Sequence, residues 1–324
     1  MAHHSEKELI QEYQTGRIHV DQAAVLRLMK ETDKGVQTMG SNSVRRDGLL
    51  NEKEKENIRV IAITSGKGGV GKTYITANLA YMLSRMKRKT LIFDADMGLA
   101  NIDVILGLSP KYNMHHVLLG EKSLPEVMVS GPGGITILPA ASGVQEMAEL
   151  SKGQKLSLMD ELDDLNERFD FMFIDTAAGI TNNVLYFNMA AKEIIVVVSP
   201  EPTSLTDAYA LIKILYNGHG EKRIMLIVNM VKNSQEAREV FMKLSKATEH
   251  FLDLSIEYLG FIMHDEKVTD AVRQQRMFAE IYPYSQASKC LASLARKICR
   301  DKPEKYNLGS MKFFSRAIVG ADHG

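Results

Sequence analysis

The feature that most constrains this chain is a short apolar run, Arg59 to Thr64, that passes directly into Ser65-Gly66-Lys67-Gly68-Gly69-Val70-Gly71-Lys72-Thr73 and then into a helical pattern. Gly-x-x-x-x-Gly-Lys-Ser/Thr between a strand and a helix is a phosphate-binding loop. Glycines let consecutive backbone N–H groups curl around phosphate oxygens, and the helix that follows turns its N-terminus to the anion. Lys72 is placed to reach the β and γ phosphates, and Thr73 to ligate Mg²⁺. The expected nucleotide contacts are Gly66, Lys67, Gly68, Gly69, Val70, Gly71, Lys72, Thr73 and Tyr74. A chance glycine turn would leave Lys67, Lys72 and Thr73 together unexplained.

From Ile58 onward, short β-branched runs alternate with amphipathic stretches of helix length: Arg59 to Thr64, Thr90 to Asp94, Ile135 to Pro139, Phe171 to Asp175, Ile194 to Ser199 and Arg223 to Asn229. Continuous apolar strands alternating with helices predict an α/β fold, a mostly parallel sheet with helices on both faces. The pattern closes with a strand at Ile256 to Met263 and a helix from Tyr284 to Arg300, whose Leu291, Leu294, Ala295 and Ile298 mark one buried face. Acids at the carboxyl ends of parallel strands lie where ligands bind, which singles out Asp94, Asp96 and Asp175. Taken alone, an apolar run ending in Asp is a weak signal, because strands often finish at a turn-forming Asp. In order after a phosphate loop, Asp175 fits a Mg²⁺-holding acid followed by a segment that senses the γ-phosphate. Helix capping by Asp94 or Asp96 is the structural alternative.

At 324 residues the chain exceeds what a single core usually holds. An apolar content of 45% excludes wholesale disorder. With 40 basic and 40 acidic side chains the net charge is zero, so nucleic acid is not the expected partner. Cys290 and Cys299 alone make no disulfide framework, and no charged-then-apolar leader opens the sequence, so a cytoplasmic protein is expected. No apolar run reaches the roughly 20 residues of a spanning helix, which leaves only peripheral membrane contact.

Three zones follow: a polar N-terminal element and linker (1–57), the alternating α/β region (58–300) and a tail (301–324). The first zone accommodates two short helices, Ser5 to Tyr13 and Asp21 to about Glu31. In the tail, Met311 to Val319 can form an amphipathic helix with Met311, Phe314 and Ile318 on one face and Lys312, Phe313 and Arg316 around it. From pattern alone, a membrane anchor and a tail packed on the core stand equal.

The second lysine of the loop adds specificity. Lys67-Gly68-Gly69-Val70-Gly71-Lys72-Thr73 resembles the deviant Walker A motif of the MinD/ParA family of P-loop ATPases. That resemblance implies ATP and Mg²⁺ as cofactors, hydrolysis of ATP to ADP and phosphate, and a homodimer that sandwiches two ATP molecules. It further implies that Lys67 reaches the phosphates held by the other subunit, much as an arginine finger does, and that Asp96 orients the attacking water. Lys67, Lys72 and Asp96 are then the catalytic set, with Thr73, Asp94 and Asp175 at the metal. Asn229, in Val228-Asn229-Met230, is the candidate base contact. Relatives carry an Ile-Pro-x-Asp loop where this chain has Ile262-Met263-His264-Asp265. Cys290 and Cys299 lie about 180° apart on one helix, which does not suit the shared thiolate cluster of the iron–sulfur branch.

The stretch Asp21-Gln22-Ala23-Ala24-Val25-Leu26-Arg27 is similar to the DQAxxLR element of the flagellar-number regulators, the FlhG (FleN/YlxH) branch. The resemblance implies docking on the GTPase FlhF, with Gln22 at its active site and Asp21, Leu26 and Arg27 alongside. It also implies that the tail binds the inner face of the cell membrane when ATP is bound. Flagellar switch proteins or a flagellar transcription activator are further implied partners. A DNA- or cargo-positioning ATPase of the same family, and a low-turnover protein that sequesters a transcription activator, remain the alternative readings. A DNA-reading helix-turn-helix would need a more basic second helix than Asp21 to Glu31, which carries only Arg27 and Lys30.

Overall fold

A computed structural model of the chain describes residues 58–96, 101–140, 151–163, 165, 168–219 and 223–301. The N-terminal element with Asp21, Gln22, Leu26 and Arg27, and the tail with Met311, Lys312, Phe313, Phe314, Arg316 and Ile318, lie outside the described residues. Among those described, the strands are β1 Arg59–Ser65, β2 Thr90–Ala95, β3 Val129–Ser130, β4 Thr136–Leu138, β5 Phe171–Ala178, β6 Glu193–Val198, β7 Arg223–Val231 and β8 Glu257–Met263. The helices are α1 Lys72–Arg85, α2 Ile102–Ile105, α3 Met114–Leu118, α4 Leu124–Val127, α5 Lys152–Asp163, α6 Asn182–Ala190, α7 Pro202–His219, α8 Ser234–Leu252, α9 Glu266–Arg273, α10 Phe278–Ile281 and α11 Gln286–Arg300.

The strands form one sheet in the order β3-β4-β2-β5-β1-β6-β7-β8, parallel except where β3 meets β4. Each central strand has an unbroken apolar middle that feeds two layers, because successive side chains leave a strand on opposite faces. Ile61 and Ile63 of β1, Phe173 of β5, Ile195 of β6 and Ile227 of β7 join the cluster under α1 and α11. Val60, Ala62 and Ile174 pack instead with Phe187 of α6, and Ile194, Val196 and Leu226 with α7 and α8. Phe93 and Phe187 meet edge-to-face at 5.3 Å beneath the second layer. Each large apolar side chain buried this way contributes about 1.5–3 kcal/mol.

Element ends differ from expectation for local reasons. The last helix begins at Gln286 rather than Tyr284, because the Ser285 hydroxyl accepts from the Ser288 amide and caps it; Tyr284 is left 85% exposed. Helix α9 starts at Glu266, where Asp265 caps by accepting from the Lys267 amide. β5 and β7 outrun Asp175 and Asn229, ending at Ala178 and Val231. The two-residue antiparallel β3 is too short to carry a sequence period.

From β1 the chain crosses over to β2 and β4, returns to fill the β5 slot between β2 and β1, and then continues on the other side of β1. Such a reversal opens a crevice at the carboxyl ends of the strands. At the opposite edge Arg59 pairs with the buried Glu193 through Nε at 2.5 Å and Nη2 at 2.6 Å, and also donates to the carbonyls of Ile298 and Asp301. Arg223 joins Glu193 to Glu257 and Asp301.

Candidate active site

The loop between β1 and α1 is shaped by three glycines. Gly69 and Gly71 take φ of +81° and +85°, the left-handed region that glycine enters without penalty. Gly66 is required by proximity: a Cβ there would lie 2.3 Å from the carbonyl carbon and oxygen of Asp207 in α7. On the open side, a Cβ at Gly68 or Gly69 would meet nothing within 4 Å, which fits a cradle for phosphate oxygens.

Lys72 is buried, with Nζ 2.9 Å from Asp175 Oδ1 and 3.2 Å from Thr73 Oγ1. Thr76, one helical turn on, presents its hydroxyl 2.9 Å from the same Asp175 oxygen and 3.0 Å from the Lys72 carbonyl; with one proton it serves one acceptor at a time. Asp175 Oδ2 is buried without a hydrogen-bond partner. Beside it, Asp94 is the register partner of Asp175 across β2 and β5. Burial above all, and then the Asp175 charge, push the Asp94 carboxyl up to about 8, against the pull of its backbone hydrogen bonds. Two buried carboxylates with an orphaned oxygen and an adjacent threonine hydroxyl are a donor set that fits a hard cation. Thr73, Asp94 and Asp175 would hold Mg²⁺.

Asp94 also organises its own loop. Its Oδ1 accepts from the Asp96 amide at 3.1 Å and its Oδ2 from the Asn101 and Ile102 amides at 3.3 Å each, so Asp94 is the acid that receives the first N–H groups of α2. Asp96 lies partly exposed directly after it, at the carboxyl edge of β2. Residues 97–100 fall outside the described set.

Lys67 lies across the loop from Lys72 and contacts the Glu201 carboxylate and, at 3.1 Å, Thr203 Oγ1, both at the start of α7. Asn229 is buried and donates from Nδ2 to the Val70 carbonyl at 2.8 Å, so its amide clamps the phosphate loop to the end of β7. A register shift between Val228 and Val231 turns it there and leaves Met230, at φ 60°, 43% exposed. Tyr74 is placed differently from the rest of the loop set. Its ring stacks on Phe278 at 6.1 Å and its hydroxyl donates to the Arg276 carbonyl at 2.5 Å, so only its backbone is left for a nucleotide. His264 is exposed, and its amide donates to the Val231 carbonyl.

Thr76 and Glu201 are site residues that the sequence reading missed. Thr76 was legible, four positions after Lys72 on one helix face. Glu201 lies 134 positions from Lys67 and had no local signal. Cys290 and Cys299 are free and partly buried, packed against the core under α11.

The fold and this loop define a P-loop nucleoside triphosphatase. A ParA model, described as NUBPL iron-transfer P-loop NTPase, matches residues 57–299, and the chain belongs to this ParA/MinD family. It is accordingly an ATPase that uses ATP and Mg²⁺. The antiactivator FleN of Pseudomonas aeruginosa is 44% identical over 262 residues, 81% of this chain and 94% of that protein. The flagellum site-determining protein YlxH of Helicobacter pylori is 36% identical over 86% of this chain and 99% of its own length. Among solved structures, the septum site-determining protein MinD of Pyrococcus horikoshii, complexed with Mg-ADP, superposes with a TM-score of 0.63 at 26% identity, covering 74% of this chain and 96% of that one.

Proposed function

We propose that this ATPase is an ATP-dependent dimerising switch that regulates flagellar number and placement. The likeness to FleN and YlxH supports the biological setting. The observation that carries the mechanism is the contrast between the two lysines. Lys67–Glu201 is a solvent-facing ion pair, a class worth about 0–1 kcal/mol, so Lys67 is released cheaply to reach the phosphates of a second subunit. Lys72–Asp175 is buried, and removing one partner of such a pair costs about 3–5 kcal/mol. Lys72 therefore turns to the β and γ phosphates only where another cation replaces it at Asp175. Thr73, Asp94 and Asp175 would hold Mg²⁺ there, which would supply that charge and offset the charge of the phosphoryl group. Asp96 orients the water, and Lys67 and Lys72 stabilise charge developing on the γ-phosphate oxygens. The segment after Asp175 senses whether the γ-phosphate is present.

The 311–319 segment of each protomer binds anionic lipid weakly, and a dimer that presents two of them binds by effective concentration, at the inner face of the membrane. Asp96→Ala is expected to bind ATP normally, hydrolyse it at least about tenfold more slowly and accumulate as dimer on anionic vesicles. A variant that stays monomeric with ATP and Mg²⁺ would sink the scheme. The name of FleN supports a second reading, in which the dimer sequesters a transcription activator at low turnover. Phosphate release by the unmutated chain that does not rise on vesicles would favour it.

The N-terminal element engages the GTPase FlhF. Leu26 and Arg27 anchor it, Asp21 lies alongside, and Gln22 approaches the GTPase site. A peptide of residues 1–33 is expected to stimulate FlhF hydrolysis, and Gln22→Ala to abolish that stimulation. Full stimulation by the Gln22→Ala peptide would remove the role given to this side chain.

A further inference from the structure

Three consecutive residues at the end of β1 each hold one point of the chain that follows Asp175. The Ile63 carbonyl accepts from Thr176 Oγ1 at 3.2 Å, and the Ser65 carbonyl from the Gly179 amide at 2.9 Å. Between them Thr64 Oγ1 accepts from Asn188 Nδ2 at 3.2 Å, a contact that reaches into α6. The ladder is irregular at this spot: Ile63 pairs with Asp175 but Ser65 pairs with Ala178, so an extra residue of β5 is bulged out directly after Asp175. Ala95 still pairs with Thr176 on the β2 side and Ser65 with Ala178 beyond the bulge, so the side-chain links add a second hold across the one stretch where the β1 ladder is broken.

Asn188 is an odd residue to find there. It is fully buried, as are its sequence neighbours Leu185, Phe187, Met189 and Ala191. Its Nδ2 bonds Thr64 and, at 2.7 Å, the Val184 carbonyl, but its Oδ1 is buried without a partner. A half-satisfied amide in an apolar layer costs stability. What it gives in return is one fixed point between the root of the phosphate loop, two residues before Gly66, and the helix that opens just after Gly179.

We propose that Asn188 is a positioning residue for ATP hydrolysis: through Thr64 it sets the segment between Asp175 and α6 against the phosphate loop, so it governs turnover and ATP-dependent pairing rather than nucleotide affinity. This rests on the reading above of that segment as the γ-phosphate sensor. A structural amide would instead lower stability, affinity and turnover together.

The test uses the full chain and four variants: Asn188→Leu, Thr64→Val, their combination, and Thr64→Ser. Asn188→Leu and Thr64→Val should each lower kcat about tenfold or more, with ADP affinity held within about twofold and only the modest fall in Tm expected from one buried hydrogen bond lost. The double variant should be no slower than the slower single one, because the two side chains act as a unit. Thr64→Ser, which keeps the hydroxyl, should retain more activity than Thr64→Val. A kcat within about twofold of the unmutated chain in folded Asn188→Leu, or multiplicative losses in the double variant, would overturn the inference. If Asn188→Leu does not fold, the Thr64→Val and Thr64→Ser pair decides by the same criteria. Gly179→Ala, which strains the segment itself at φ 93°, separates this from the underlying reading: unchanged hydrolysis there removes the sensor role, whereas lost hydrolysis there with intact turnover in Asn188→Leu removes only the inference.

Discussion

Tyr74 follows the loop threonine directly, yet its side chain belongs to a different layer. Burial pushes its hydroxyl up to about 12, and as a phenol it donates to the Arg276 carbonyl, a bond the phenolate cannot make. The folded state thus holds this proton more tightly than the unfolded chain, whose tyrosine titrates near 10. The stability it confers is fully present below about pH 10 and is lost as pH rises through about 12. Tyr74→Phe should cost about 1 kcal/mol at pH 8 and lose less stability than the unmutated chain on going to pH 11, as read by denaturant unfolding. The residue shows where the sequence reading reached its limit. Motif position correctly marked the loop, but which way a side chain leaves the first turn of α1 depends on Phe278 and Arg276, some 200 positions away. Asn229, singled out as a base contact, also donates one N–H to the Val70 carbonyl, a link between β7 and the loop that no local signal marks.

Between elements, the tightest constraint is the approach of the phosphate loop to α7. Gly66→Ala would drive a Cβ into the Asp207 main chain, which has no rotamer to change, whereas Gly68→Ala meets open space. Overpacking of this kind costs about 1–3 kcal/mol, so thermal unfolding should show a clear drop in Tm for Gly66→Ala and little change for Gly68→Ala. Equal Tm values for the two would contradict the close packing. At this scale the sequence was most legible. Every strand anticipated from an apolar run is present, because buried parallel strands write themselves as unbroken β-branched stretches. Their ends were not legible, since β5 stops where Ser65 ceases to pair with Ala178, which is a property of the neighbour. The short helices α2, α3 and α4, of four or five residues, have no period to read.

Over the whole molecule, chemistry and connections lie on opposite edges of one sheet. The phosphate loop, Asp94 and Asp175 sit at the carboxyl ends of β1, β2 and β5. Among the described residues no helix is long and apolar enough to cross a membrane. At the far edge, Arg59 and Arg223 gather Glu193, Glu257 and Asp301, so the start of β1 and the residue after α11 are clasped together. That arrangement has a mechanical meaning. A pull between residues 59 and 301 meets the hydrogen bond from Arg59 to the Asp301 carbonyl, a strand's length of about 23 Å from the phosphate loop. The pocket where the nucleotide is read stands a full strand away from that clasp.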